Sequence, residues 1–238
     1  YASIIPEADA MNLTPMHPWE EREKGVNDFL NRIHQEKANA YYLGRLGTEI
    51  PFTIYLNKSI SSADLTGLKI RCSPTHIGFL KKLGAQPLVI PPPDVYTSLE
   101  RGLADGFIWP AGLIRDWGWQ EVTKYIIQPS FYNAINVVLV NLDAWNKLPK
   151  HLQELLIETE KEAEHYAVER GQTHVRNEFV ALQKLGLQIV NLPPAEARKL
   201  TDAAERMSLG EMNVEIDIKS KDEIGLLAEA LRIMKDKI

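Results

Sequence analysis

Apolar positions change their period several times along the chain, and each change marks an element. Residues 68–72 read as a short buried strand; Ser73 and Pro74 have the chemistry of an N-cap and first-turn pair, and Gly84 closes the helix they open. A second strand is expected at 88–90, before three consecutive prolines. Asp94 is placed to cap a further helix with Val95 and Leu99 on its apolar face, and Gly102 ends it ahead of a third strand at 105–108. Strands alternating with helices at this spacing predict a parallel sheet, whose ligands lie beyond the carboxyl ends of its strands. Arg71 stands at such an end.

The same reading extends outward from this run. Residues 18–37 place Val26, Phe29, Leu30 and Ile33 on one face, as in an amphipathic helix. Strands are expected at 39–46, 52–56 and 135–141. Residues 149–185 predict a long helix stopped by Gly186, with Leu152, Leu155, Leu156 and Ala163 as its inward stripe and Gly171 as a place for a bend. A final strand at 187–192 ends at Pro193-Pro194, which opens another helix. Near the end, Ile224, Leu227, Leu231, Met234 and Ile238 follow a 3-4-3-4 spacing, the seam of a short coiled coil or the stripe of a terminal amphipathic helix.

Composition narrows the classes of function. The 238 residues, 45% hydrophobic and 25% charged, suffice for one large or two smaller domains. No apolar run is long enough to span a bilayer as a helix. A net charge of −5 without a clustered Lys/Arg stripe disfavours nucleic acid as a partner. The lone Cys72 excludes an intrachain disulfide and reads as a small strand residue. His17, His34, His76, His151, His165 and His174 are scattered, with no HExxH and no cluster at metal-ligand spacing. His76 lies closest to Arg71 and reads as a solvated first-turn residue. Ser73 lacks a G-x-S-x-G elbow, Cys72 lacks a base partner, and no Walker A loop or GxGxxG fingerprint occurs. Binding is therefore expected rather than catalysis, with neither metal nor cofactor.

Four ordered motifs carry a family resemblance: Gly67-Leu68-Lys69-Ile70-Arg71, Leu83-Gly84-Ala85, Asp94-Val95-Tyr96 and Gly102-Leu103-Ala104-Asp105-Gly106. In this order they resemble the DctP-type solute-binding proteins of tripartite ATP-independent periplasmic (TRAP) transporters. The similarity runs from about residue 1 to 192 and includes Asn141-Leu142-Asp143-Ala144-Trp145. It implies an α/β, two-lobed periplasmic-binding-protein-like (type II) fold with a hinge and a long helix. Lobe one would comprise 1–55 and 136–192, with the crossing strands, and lobe two 56–135, carrying Arg71. Against the family pattern the first strand, first helix and second strand of one lobe are absent, and the opening Tyr-Ala-Ser-Ile-Ile-Pro is not a signal peptide, so a processed or truncated chain is expected.

The resemblance also assigns roles. Taken alone, Arg71 is an exposed strand-end or ion-paired arginine; in the family's pattern its guanidinium grips a ligand carboxylate through two parallel bonds. Trp109 follows the Asp-Gly turn where the family places a ligand contact, and Ile108 stands where some keto-acid binders use a glutamate for a cation, so no metal is expected. Phe52 falls where relatives often supply a second polar contact. With Trp109, Phe131 and Tyr132 it implies an aromatic-lined pocket for a monocarboxylate with an apolar or aromatic body. Core packing is the alternative for each aromatic, and is the role expected of Trp117, Trp119 and Trp145. Asn136 is expected either to offer its amide to the ligand or to pair at a strand edge. The implied partners are a small organic acid and the membrane permease subunits, the implied location the periplasm. A monomer is expected unless the C-terminal helices pair.

From 195 to 238 the chain resembles a HAMP domain, through Gly210-Glu211-Met212, the alternating Val214, Ile216 and Ile218, and Asp222-Glu223-Ile224-Gly225. That tail, the helical segment 193–238 of the expected organisation, allows an alternative function as a sensory module whose ligand binding is passed to signalling helices.

Overall fold

A computed structural model describes residues 4–5, 7–8, 11–14, 16–46 and 50–208. In chain order its helices and strands are α1 (Pro18–Glu23), α2 (Val26–Ala38), β1 (Ala40–Leu46), β2 (Pro51–Leu56), β3 (Lys69–Cys72), α3 (Ile77–Lys82), β4 (Gln86–Val89), α4 (Val95–Glu100) and β5 (Gly106–Pro110). There follow β6 (Tyr125–Asn133), β7 (Asn136–Asn141), α5 (Leu142–Lys147), α6 (Lys150–Lys184), β8 (Gln188–Asn191) and α7 (Pro194–Ser208). Described residues of 1–49 and 135–171 form one compact unit, and 50–134 with 172–207 a second. The HAMP-like motifs from Gly210 onward and the seam ending at Ile238 lie outside the described residues.

In the first unit, β1 and β7 pair antiparallel, and a cluster of Ile5, Met11, Met16, Val26, Leu30, Ile33 and Tyr42 packs as its core. The amphipathic stretch expected at 18–37 forms two helices, because Gly25 between them takes φ 77°, a left-handed conformation that ends α1. The inward face of α6 also differs from expectation. Leu152, Leu155 and Leu156 are exposed, while Glu160, Glu164 and Val168 are buried. An arginine from α1 explains the inversion. Arg22 reaches Glu164 through Nε and Nη2 at 2.8 and 2.7 Å, and Arg45 grips Glu21 the same way at 2.7 and 2.6 Å. Gly44 makes room for this network: a Cβ there would run into Glu164 Oε1 and stand 2.7 Å from Arg22 Nη2. Gly171 brings no bend, since α6 is helical through it.

Glu160 sits in this network with Oε1 buried and unbonded. Burial, and then the Glu164 charge, raise its pKa above the ordinary 4.5. A carboxyl whose folded pKa is raised contributes fully below its unfolded value and loses that contribution as pH rises through the folded one. Glu160→Gln is therefore expected to raise the melting temperature by about 2–4 °C at pH 8. The gain should shrink toward nothing near pH 4, as followed by circular dichroism melts; a gain that grew on acidification would contradict the assignment.

The second unit is built on a six-stranded sheet of order β4-β3-β5-β2-β6-β8. Its β3 runs parallel to both β4 and β5, and β6 parallel to β8, while β2 is antiparallel to β5 and β6. Hydrogen bonding along both edges makes β2 a central strand of this unit, not part of lobe one, and residues 172–192 join it as well. The reason is packing: Leu182 and Leu187 enter the core formed by Tyr55, Val95, Leu99, Phe107, Trp119 and Ile126. Arg115 ties the same stretch down through Glu178, with Nε 2.7 Å from Oε2. Trp119 and Trp145 are core residues as expected, but Trp117 is 42% exposed. Neither Ser73 nor Asp94 caps a helix with its side chain. A 3-10 turn at Pro74–His76 precedes α3, and another at Pro92–Asp94 precedes α4.

Candidate functional site

Strand direction decides which side chains meet. Because β2 is antiparallel to its neighbours, its first residues lie at the carboxyl ends of β5 and β6, with Phe52 opposite both Pro110 and Tyr132. On β3, Arg71 lies one residue from the carboxyl end, and β4 and β5 flank that strand on opposite sides. Such a point in a sheet of parallel strands is where the crevice for a ligand opens.

Arg71 is 4% exposed. Its Nε donates to the carbonyl of Ile90 at 2.9 Å, and its guanidinium carbon stands 5.0 Å from the centre of the Trp109 ring. No carboxylate among the described residues pairs with it. Burial lowers its pKa, yet a guanidinium stays charged throughout the physiological range. The result is a desolvated cation, aligned by a carbonyl and a ring face, with its remaining donors uncommitted to an acid. Next to it, burial pushes the Cys72 thiol up to about 11, so it stays protonated and inert, in keeping with a small strand residue.

His76 is the residue that sequence reasoning missed. Far from being solvated, it is 2% exposed, with its ring 4.8 Å from Phe52 and 5.4 Å from Tyr132. Its Nδ1 shares a hydrogen bond of 2.6 Å with Ser73 Oγ, which is why Ser73 does not cap the turn. Nε2 is buried without a partner among the described residues, as is Trp109 Nε1. Burial, and then the charge of Arg71, pull the His76 pKa down to about 4, so the imidazole is neutral at pH 7. Only its position just past Arg71 hinted at this in the sequence, since the burying rings come from β2 and β6.

Of the residues expected at a site, Arg71 and Trp109 touch one another, and Phe52 and Tyr132 form a ring pair 5.6 Å apart around His76. Phe131 turns away and stacks on Phe79 at 4.2 Å, in the core-packing role that was its alternative. Asn136 belongs to the first unit, exposed on β7 opposite Leu46. Among the described residues no group of His, Cys, Asp and Glu has the geometry of a metal site. A separate groove of about 480 Å³ is lined by Asp64, Thr66, Lys82, Gly84, Lys199 and Asp202 and shares no residue with the Arg71 group. Its acidic and basic side chains balance, so it makes no comparable demand for a charged ligand.

Comparison with known proteins bears on both units. A curated relative, a monocarboxylate 2-oxoacid-binding periplasmic protein of Nostoc sp., is 34% identical over 106 residues, 42% of this chain and 29% of its own length. The chain thus matches well under half the length of such curated relatives. Among solved structures, a TRAP periplasmic solute-binding protein of Desulfovibrio salexigens with bound orotic acid superposes with a TM-score of 0.79 at 20% identity, over 98% of this chain and 77% of that one. Another from Rhodoferax ferrireducens, with bound malonate, gives 0.74 at 20% identity over 99% and 76%. These likenesses establish the fold as that of two-lobed TRAP solute-binding proteins. A HAMP domain model matches residues 197–238. Where that match overlaps the solute-binding fold, α7 buries Leu200, Ala203 and Ala204, and just ahead of the match Glu196 accepts from Ala63 N at 2.9 Å within the second unit. A model of the bacterial extracellular solute-binding proteins, family 7 (DctP), matches residues 48–211, well over half of the sequence, and the chain belongs to that family.

Proposed function

We propose that the chain captures a small organic acid in the periplasm, as the solute-binding component of a TRAP transporter, for delivery to a membrane permease. The ligand is a monocarboxylate with an apolar or aromatic body. The observation that carries this reading is Arg71: a buried cation, braced by Ile90 and Trp109, to which the described residues offer no carboxylate. A desolvated charge is costly unless paired, so a ligand carboxylate supplies what the fold leaves out. Phe52, Tyr132 and Trp109 provide the apolar surface for the rest of the ligand, and the single cation suits a single negative charge. Orotic acid and the monocarboxylate 2-oxoacids, named for two of the relatives, likewise carry a single carboxylate.

A thermal-shift screen of organic acids tests the proposal. Acids that bind should raise the melting temperature of the native chain and leave that of Arg71→Ala unmoved. Equal shifts in both proteins would remove Arg71 from the site.

A further inference from the structure

A polar atom left buried without a partner is costly, and one that stands beside a ligand site can be met by the ligand. His76 Nε2 and Trp109 Nε1 are two such atoms beside Arg71. The indole is a donor only. The imidazole is fixed in orientation by the hydrogen bond of Nδ1 to Ser73 Oγ, and in either tautomer Nε2 is free to exchange one hydrogen bond.

We propose that His76 is a specificity residue: with the ligand carboxylate held on Arg71, Nε2 exchanges a hydrogen bond with an uncharged oxygen of the ligand, a hydroxyl or a carbonyl. The preferred ligands are then oxygen-substituted monocarboxylic acids, in preference both to the plain parent acids and to dicarboxylic acids. This rests on the reading of Arg71 as the carboxylate anchor.

The neighbours of His76 are Ser73, Thr75, the rings of Phe52 and Tyr132, and the charge of Arg71. None of these acts as a base that would draw a proton onto the imidazole, and the Arg71 charge opposes one. A second carboxylate placed there would face a neutral imidazole beside two aromatic rings, losing its water without gaining a second cation. A hydroxyl or carbonyl oxygen needs only the one bond that Nε2 has to give.

Isothermal titration calorimetry at pH 7.5 on the full chain tests this with two matched sets, propionate, lactate and pyruvate, and phenylacetate, mandelate and phenylglyoxylate, plus malonate. In at least one set the native chain is expected to bind an oxygenated member about tenfold or more tighter than its parent acid. His76→Phe should bring that ratio close to one while the parent acid still binds, and His76→Gln should restore part of it. Arg71→Met should abolish binding of the whole set, which reports on the anchor separately. If His76→Phe keeps the ratio while Arg71→Met loses binding, the His76 inference fails and the anchor stands. If Arg71→Met binds as the native chain does, the anchor fails and the inference with it; no binding of either set, or tighter binding of malonate, overturns the inference too. Should His76→Phe not fold, the native chain labelled with 15N-histidine decides: saturation with the oxygenated acid must shift the His76 Nε2 resonance, and an unmoved resonance overturns the proposal.

Discussion

Arg71→Lys is expected to bind organic acids about tenfold or more weaker than the native chain, although it keeps the positive charge. The guanidinium does three things at once: it donates Nε to Ile90, lies on the Trp109 ring, and keeps its remaining N–H groups for a ligand. A lysine ammonium has no planar face to stack and no fork to present, so at a braced and buried position the exchange is not conservative. Hydrogen bonds to charged groups are each worth about 1.5–3 kcal/mol, which puts the loss in Arg71→Met at about a hundredfold or more in affinity. The lysine variant should stay about tenfold or more below the native chain, having at best one such bond in place of two. Calorimetric titration of one confirmed ligand into the three proteins measures both effects. Recovery of native affinity by lysine would mean that charge alone matters and that the fork geometry does not.

The largest effect on stability is expected at Glu164. Its carboxylate takes two hydrogen bonds from Arg22, whose Nη2 also donates to the Leu43 carbonyl at 2.8 Å, so one side chain on α6 holds α1 and β1 together. The side chain of Glu164 is 2% exposed and that of Arg22 16%. Removing one member of a pair this deep strands the other, at a cost of about 3–5 kcal/mol. Arg22 keeps some contact with water and has Glu160 nearby, which places Glu164→Ala toward the lower end. Even so, about 3 kcal/mol is a large share of the stability of a typical domain. Urea denaturation followed by circular dichroism should show a clearly lowered midpoint, with Glu164→Gln between the two. A midpoint unchanged in Glu164→Ala would mean that the buried pair contributes nothing net.

Local chemistry made much of the second unit legible. The strand at 68–72, the turns at Gly84 and Gly102, and the long helix ending before Gly186 are all written in short stretches of sequence, and each forms within a residue or two of its expected place. Elements and roles that depend on distant partners were less visible. Strand β6 escaped because Gln128-Pro129-Ser130 interrupts its apolar pattern, although Thr53 and Gln128 receive Ser130 there with hydrogen bonds across and along the sheet. The stripe of leucines on α6 pointed to the wrong face, since only the arrival of Arg22 from α1 makes carboxylates suitable for burial. His76 was misread for a similar reason: the rings that bury it lie on strands tens of residues away. Arg71 and Trp109 were legible as a pair because a family pattern set them at neighbouring strand ends. Phe131, expected to line the pocket, stacks on Phe79 instead, because its place depends on which face of β6 it takes.

Pairing of β8 with β6 has a consequence for biosynthesis. A nascent chain holds every other strand of the six-stranded sheet once Asn133 has emerged, but the outer edge of β6 stays open until Asn191 has followed. During that interval the exposed backbone donors and acceptors are a template for pairing with another chain. The stretch that β8 closes is short, Tyr125 to Gln128, and Pro129 next along the strand has no amide hydrogen to offer an intruder. The proline that hid β6 from a reading of the sequence thus shortens the stretch over which an unfinished chain can stick to its neighbour.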